Sequence, residues 1–84
     1  MFAIQWEKKA LKQLKRIEKN DRISISQSVR SLKNWPECRN VKVLKNQRYK
    51  YRLRVGRSKV LFDLEETVKI VKIEEVKKRN ERTY

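Results

Sequence analysis

The spacing of the hydrophobic residues changes at Trp35-Pro36, and this change constrains the fold more than any other feature of the chain. Before it, apolar residues recur at helical intervals, at Ala10, Leu11, Leu14 and Ile17 and again at Ile25, Val29 and Leu32. After it, apolar and charged residues alternate, as they do in strands with one buried face. Because the residue before a proline is disfavoured in a helix, the helical part ends here. The pattern predicts helices followed by strands.

Two helices and about four strands are expected. The strands are predicted at residues 2–6, 48–55, 59–64 and 68–73, with the alternation already beginning at Val41 and Val43. Asn20-Asp21 separates the two helices, and Gly56-Arg57 forms a hairpin turn. The alternation of the last strand slips by one residue, as it does at a bulge. We therefore predict an α+β fold, in which a small antiparallel sheet with the chain order β-α-α-β-β-β carries the helical hairpin on one face.

The charge of the chain is high and concentrated in one segment. With 84 residues, the chain has room for one small domain, which we assign to residues 1–84. Lys and Arg number 24 against 10 Asp and Glu, a formal net charge of +14. Residues 38–62 hold nine basic residues and no acidic one, whereas residues 63–84 hold six of each. A basic segment of this kind predicts a polyanionic partner, of which nucleic acid is the commonest.

The cysteine and histidine content excludes several classes of protein. Cys38 is the single cysteine, so it forms no internal disulfide, and a reducing cytoplasm is the expected compartment. The absence of histidine excludes zinc sites built from Cys and His, and catalytic pairs of Ser or Cys with His. No apolar run approaches the roughly 20 residues of a membrane span. We expect no metal, no cofactor and no membrane partner.

The strand predicted over residues 48–55 has one basic and one apolar face. Lys50, Arg52 and Arg54 recur every ~6.6–6.8 Å on the basic face, a spacing close to that of the phosphates in an extended single strand. The apolar residues, which we expect to face the helices, are Tyr49, Tyr51, Leu53 and Val55. Lys59 on the next strand joins the basic face. Arg79 and Tyr84 reach it if the end of the chain folds back beside the sheet.

RNA cleavage is one reaction that such a face supports without histidine. RNA supplies its own nucleophile, the 2′-hydroxyl, so the protein needs only a base, cations for the developing charge and an acid for the leaving 5′ oxygen. Arginine is a poor base, which leaves Lys50 or Lys59 for that role, while Tyr84 suits stacking on a base. Glu74 and Glu75 are adjacent in a strand and point to opposite faces, so we expect surface charge there. Simple phosphate binding and a solvated charged face stay open as alternatives.

Five short motifs, in their order and spacing, resemble bacterial toxins of the RelE/ParE superfamily. They are Trp35-Pro36-Glu37-Cys38, Val43-Leu44-Lys45, Tyr-Arg-Leu-Arg-Val-Gly at 51–56, Lys-Val-Leu-Phe at 59–62, and the sequence of residues 76–84. Together they extend over nearly the whole chain, and the ending Arg-Thr-Tyr resembles the RelE branch. The resemblance implies the toxin of a type II toxin–antitoxin pair. Such a toxin is a ribosome-dependent mRNA endoribonuclease that blocks translation.

The resemblance also implies roles for individual residues. The catalytic residues that it implies are Lys50, Arg52, Lys59, Arg79 and Tyr84. Lys50 matches the proton acceptor, Arg79 the arginine that stabilises charge or acts as the acid, and Tyr84 the tyrosine that stacks on the base. Ser58-Lys59 stands where relatives commonly have Tyr-Arg, and the loss of a bidentate fork and a ring predicts attenuated activity. The further cations expected to bind RNA are Lys45, Arg48, Arg54, Arg57, Lys77, Lys78 and Arg82.

Two partners and one rival function follow from the same resemblance, and a second rival follows from the cations alone. The partners are the ribosomal A site with its mRNA and an acidic antitoxin that folds over the toxin, through which any contact with operator DNA takes place. The first rival is a ParE-like inhibitor of DNA gyrase that cuts no RNA. The second is a non-enzymatic module that binds nucleic acid through its phosphates.

Overall fold

The computed structural model describes residues 1–78, and in this range it contains two α-helices, one short 3₁₀ helix and five strands. The strands are β1 (Ala3–Trp6), β2 (Val41–Val43), β3 (Tyr51–Val55), β4 (Ser58–Glu65) and β5 (Ile70–Lys78). The helices are α1 (Lys8–Lys15), α2 (Lys19–Arg30) and the 3₁₀ helix Ser31–Asn34 that continues α2. The predicted order of elements is confirmed, and β2 is a strand in its own right.

The strands of residues 1–78 form one sheet in the order β1-β5-β4-β3-β2. β2, β3, β4 and β5 are antiparallel to their neighbours, whereas β1 runs parallel to β5, with Trp6 opposite Ile73. The helices and the other three strands form the long crossover that a parallel pair requires. The α+β class with a helical hairpin on the sheet is confirmed. In detail the sheet has five strands and is mixed, where about four antiparallel strands were expected.

The helices cover one face of the sheet and form the core with it. The buried hydrophobic residues are Ala10, Ile25, Val29, Leu32, Leu53, Val60, Phe62, Val71, Ile73 and Val76. The Tyr51 ring stacks on Phe62 with centroids 5.3 Å apart, and the Trp35 ring meets both edge-on. Offset and edge-on aromatic pairs stabilise beyond the area they bury. No helix within residues 1–78 is long and apolar enough to span a membrane.

Strand β3 begins at Tyr51 and not at residue 48. The residues before it form a loop over 44–50, closed by a 2.8 Å hydrogen bond from the Leu44 N–H to the Lys50 carbonyl. The Lys50 N–H donates to a carboxylate oxygen of Asp63 at 2.8 Å. These bonds take the place of the backbone hydrogen bonds that a longer strand would make with its neighbours. Lys50 therefore lies just outside the strand that was predicted to contain it.

Strand β5 contains the bulge that the slipped alternation predicted, but later in the strand. Ile73 pairs with Phe62 and Glu75 pairs with Leu61, so Glu74 is the additional residue. β5 also begins later than expected, at Ile70, because Val68 lies exposed in the preceding turn. The bulge reverses the alternation beyond it, so that Val76 is buried in the core while Glu75 lies on the other face.

Helix α1 contacts the edge of β5 beyond the point where β1 ends. β1 ends at Trp6, opposite Ile73. Beyond this point the side-chain oxygen of Gln13 on α1 accepts a 2.7 Å hydrogen bond from the Val76 N–H. A backbone donor at the sheet edge is thereby satisfied. Helix α1 consequently reaches around the edge and places side chains beside the face that the core does not use.

Replacing Phe62 by alanine tests the aromatic core. Phe62 is fully buried, so we expect Phe62→Ala to lower the free energy of unfolding by about 3–5 kcal/mol through lost transfer energy and a residual cavity. Urea denaturation followed by circular dichroism measures it. Val68→Ala is the control, since Val68 is 59% exposed and its change should stay within about 0.5 kcal/mol. Similar losses for the two variants would contradict the assignment of the core.

Candidate nucleic-acid interface

Three cations lie side by side on the sheet face that points away from the helices. Arg54 of β3 pairs with Lys59 of β4, and Lys59 pairs in turn with Lys77 of β5. Directly opposed residues share a face, with Cβ atoms ~4.5–5.5 Å apart. The neighbouring row runs through Leu53 and Val60, which are buried in the core, so alternation turns the three cations outward. We call Arg54, Lys59 and Lys77 the basic ladder.

A second row crosses the same face beside the basic ladder. Lys42 pairs with Arg52, Arg52 with Leu61, and Leu61 with Glu75. The Nε of Arg52 is buried and has no hydrogen-bond partner among the described residues. A buried donor without a hydrogen-bond partner destabilises the folded state. An anion that binds to this face can accept a hydrogen bond from the Arg52 guanidinium and remove that destabilisation. The sequence did not reveal Lys42, because a three-residue strand gives too short an alternation.

Glu75 is a buried carboxylate beside the basic ladder. Its side chain is 7% exposed and lies 3.2 Å from the amine of Lys9 and 3.6 Å from that of Lys77. The Gln13 amide donates a longer hydrogen bond to it, at 3.5 Å. The expectation of surface charge is therefore wrong for Glu75. The bulge places Glu75 on the face away from the core, but Lys9 and Gln13 of α1 and Tyr49 of the 44–50 loop surround the carboxylate there.

The cations and donors around Glu75 keep it ionised. Burial favours the neutral acid, yet the pKa of Glu75 is lowered from its ordinary value. The groups that outweigh burial are Lys9, Tyr49 and Gln13, which hydrogen-bond to the carboxylate, and the charge of Lys77. The pKa of Tyr49 is raised, first by burial and then by its hydrogen bond to Glu75. A neutral phenol donating to an ionised carboxylate is thus the stable form.

Tyr49 fastens the 44–50 loop to this face. It was expected to face the helices with Tyr51, but its hydroxyl bonds to Glu75 on the other side, since the loop does not continue the alternation of β3. The guanidinium of Arg48 lies 5.5 Å from the centre of the Tyr49 ring, a cation–π contact. Between loop and sheet lies a cavity of about 260 Å³, lined by Leu44, Gln47, Arg48, Tyr49, Leu61, Glu75 and Lys77.

The other residues predicted for the site lie in several places. Lys45 and Lys50 are exposed in the 44–50 loop, and Arg57 is exposed in the turn between β3 and β4. Lys78 pairs with buried Ser58 on the helix side, so the register separates it from the basic ladder. The positions outside the described residues are Arg79, Arg82 and Tyr84.

Replacing Glu75 by glutamine tests the charge network through pH. A carboxyl with a lowered folded pKa stabilises the protein above its unfolded pKa, and this contribution is lost as the pH falls through the folded value. At pH 7 we expect Glu75→Gln to cost about 1–3 kcal/mol of unfolding free energy. The difference from the unmodified protein should shrink below about pH 4.3, the ordinary pKa of glutamate. Urea titrations from pH 7 to pH 3 measure it.

The control for this experiment is Glu66→Gln, a change at an exposed residue of the turn before β5. Its unfolding free energy should follow that of the unmodified protein at every pH. A Glu75→Gln difference that stays constant with pH would show that packing, and not charge, accounts for the loss.

Comparisons with known proteins identify the fold. No protein-family model matches the chain, and no curated protein matches its sequence. Among solved structures, the isolated RelE toxin of E. coli matches with a TM-score of 0.82 at 12% identity, over 99% of this chain and 89% of that chain. A chain of the RelE–RelB complex of Pyrococcus horikoshii matches with a TM-score of 0.79 at 22% identity, over 95% of this chain and 97% of that one.

A chain of the RelBE2 toxin–antitoxin complex of Mycobacterium tuberculosis matches with a TM-score of 0.80 at 17% identity, over 93% of this chain and 98% of that chain. Each match extends over nearly the full length of this chain and most of the matched chain, so the likeness includes the helical hairpin as well as the sheet. They confirm the fold that the sequence motifs predicted: the chain has the fold of the RelE toxins.

Proposed function

We propose that this protein is the toxin of a type II toxin–antitoxin pair and a ribosome-dependent mRNA endoribonuclease of the cytoplasm. The observation that carries the proposal is the basic ladder, in which three adjacent strands each present a cation at the same level of one face. The ladder lies on a fold shared with RelE toxins.

The basic ladder is an arrangement that folding alone disfavours. Like charges directly opposite each other in a sheet destabilise it, and Arg54, Lys59 and Lys77 form two such pairs in succession. Lys42 and Arg52 form another on the same face. A bound polyanion removes this repulsion, because each phosphate lies between cations. The face is therefore suited to a phosphate backbone that crosses the strands.

The reaction requires no nucleophile from the protein. The 2′-hydroxyl of the RNA gives its proton to a base, its oxygen attacks the adjacent phosphorus, and the bond from phosphorus to the 5′ oxygen breaks. The products are a 2′,3′-cyclic phosphate and a 5′-hydroxyl, whose proton comes from an acid. Lys50 is assigned as the base, because it is exposed beside β3, next to Arg52. Arg52 and Lys59 stabilise the charge on the phosphorane.

Two further roles rest on the resemblance alone. Arg79 is assigned to the leaving 5′ oxygen, either to stabilise its charge or to protonate it, and Tyr84 to stacking on the base. Arg79 follows Lys78, the last residue of β5, directly in the sequence, and Lys77 near the end of that strand belongs to the basic ladder.

An acidic antitoxin is the proposed protein partner. The chains that match in Pyrococcus horikoshii and Mycobacterium tuberculosis come from complexes of a toxin with an antitoxin. On the helix side this protein has an open apolar groove of about 810 Å³, with Ile4, Trp6 and Leu14 among its lining residues. Arg30 and Lys33 also line it. Apolar walls beside cations suit an amphipathic segment with acidic residues on its flanks.

Alanine substitutions on the two faces of the sheet test the position of the polyanion. We expect Lys59→Ala and Lys77→Ala each to lower the slope of log K against log salt by about 0.7, because each removes one phosphate contact to a single strand. Lys78→Ala should leave the slope unchanged, since Lys78 lies on the helix side. Fluorescence anisotropy with a 2′-O-methyl oligonucleotide, which has no free nucleophile, measures binding without cleavage. An equal loss for Lys77→Ala and Lys78→Ala would place the polyanion elsewhere.

Mapping of cut sites tests the reaction. We expect the protein to cut mRNA in a purified translation system only when ribosomes are present, at fixed positions within codons, leaving 5′-hydroxyl ends. Tyr84→Ala should lower the cleavage rate by at least tenfold while salt-dependent binding stays nearly unchanged, because stacking positions the base and adds little to phosphate binding. No cleavage with or without ribosomes would overturn the enzyme proposal and favour gyrase inhibition. Normal cleavage by Tyr84→Ala would overturn the assignment of that residue.

A further inference from the structure

The cavity beneath the 44–50 loop lies directly beside the basic ladder, and no step of the proposed reaction uses it. We propose that it binds one nucleobase of the RNA and favours bases that carry an exocyclic amino group over uracil. This inference rests on the proposed binding of RNA by the same face. It adds a base-binding site and a specificity to that function.

The size and walls of the cavity suit a single planar ring system. Its volume is about 260 Å³, whereas sites for drug-sized ligands hold about 300–1,000 Å³. Leu44 on the loop and Leu61 on β4 supply apolar walls, and Tyr49 supplies an aromatic ring. Stacking of a base on an aromatic side chain stabilises binding by about 1–3 kcal/mol. A base is therefore better suited to this cavity than a sugar or a phosphate.

The rim of the cavity supplies the phosphate contacts that a nucleotide needs. Lys77 lines the cavity and is also the β5 member of the basic ladder. Arg48 lines it from the loop side, with its guanidinium against the Tyr49 ring. Arg52 pairs with Leu61, a residue of the cavity wall. A phosphate chain on the ladder therefore passes within one nucleotide of the cavity.

The carboxylate of Glu75 gives the cavity its preference among bases. Its Oε1 is contacted by Gln13 at 3.5 Å and by Lys77 at 3.6 Å, whereas a charge-assisted hydrogen bond is ~2.7–2.9 Å long. The Tyr49 hydroxyl also hydrogen-bonds to this carboxylate, but an ionised carboxylate has about four acceptor sites, and the two long contacts at Oε1 leave room for a short bond to a further donor. An ionised carboxylate only accepts hydrogen bonds. The amino groups of cytosine and adenine donate, whereas the corresponding atom of uracil is a carbonyl oxygen that the carboxylate repels.

Binding of oligocytidine and oligouridine tests the proposal, because the two bases have the same ring and differ in this donor. Using 2′-O-methyl octamers and fluorescence anisotropy, we expect the cytidine octamer to bind about tenfold more tightly. Glu75→Gln should bring the ratio close to one, since an amide both donates and accepts. A cytidine preference that persists in Glu75→Gln would overturn the role of the carboxylate.

A second variant tests the cavity without removing a charge. Leu44→Phe fills the space beneath the loop, so we expect it to abolish the preference for cytidine while the salt dependence of binding is retained. Val43→Phe is the matched control, because Val43 is the preceding residue, is 61% exposed and pairs with Tyr51 on the helix side. It should keep the full preference. A preference that survives Leu44→Phe would overturn the proposed location of the base.

The outcomes separate this inference from the proposed function. Equal, salt-dependent binding of both octamers by the unmodified protein would overturn the base-binding cavity and leave the basic ladder as a phosphate site. Absence of salt-dependent binding to either octamer would overturn the basic ladder as a phosphate site and the cavity inference with it, whereas the mapping of cut sites tests the ribosome-dependent cleavage separately.

Discussion

The contacts of the Glu75 carboxylate hold together the face on which the proposed chemistry depends. Its oxygens lie 3.2 Å from Lys9 and 3.6 Å from Lys77, and they accept hydrogen bonds from Gln13 and Tyr49. One buried anion thus joins helix α1, strand β5 and the 44–50 loop. The negative charge of Glu75 also offsets part of the repulsion within the basic ladder, because it lies beside Lys77. Removal of Glu75 would leave the charge of Lys77 uncompensated.

The bulge in β5 places this carboxylate where it is. Strict alternation would have sent Glu75 and Val76 to the faces opposite to those they occupy, and the core would have lost an apolar residue. With Glu74 as the additional residue, Val76 returns to the core and Lys77 comes to lie opposite Lys59. Gln13 satisfies the N–H at this point of the edge, at 2.7 Å. A local irregularity of one residue therefore sets the register of both the core and the basic ladder.

The sequence predicted the fold and the outward direction of several cations, for reasons that individual residues make clear. Apolar spacing identified the buried residues of α2, and alternation identified the outward direction of Arg52 and Arg54. Both predictions succeeded because the spacing of apolar residues within one helix or strand can be seen in that segment alone. The burial of Glu75 was missed because side chains of α1 and the 44–50 loop surround it, and these contacts between distant segments leave no local pattern. Tyr49 was misplaced because the loop does not continue the alternation of β3. Lys42 was missed because its position depends on pairing between strands, which a single chain segment does not encode. The resemblance of short motifs found the RelE fold, which solved structures at 12–22% identity confirm.

The apolar face of the sheet stabilises the fold and the cationic face destabilises it. Both effects follow from the alternation of apolar and basic residues along the strands. In β3 the core residue Leu53 lies between Arg52 and Arg54, and in β4 the core residue Val60 follows Lys59, so these strands present outward cations next to the residues that pack in the core. A domain of 84 residues has little core with which to balance that repulsion. Binding of an anionic partner removes the repulsion, whether the partner is a phosphate chain or an acidic protein. Under the proposed function, RNA relieves the repulsion on the face of the basic ladder, whereas an acidic antitoxin in the groove on the helix side relieves it beside Arg30 and Lys33.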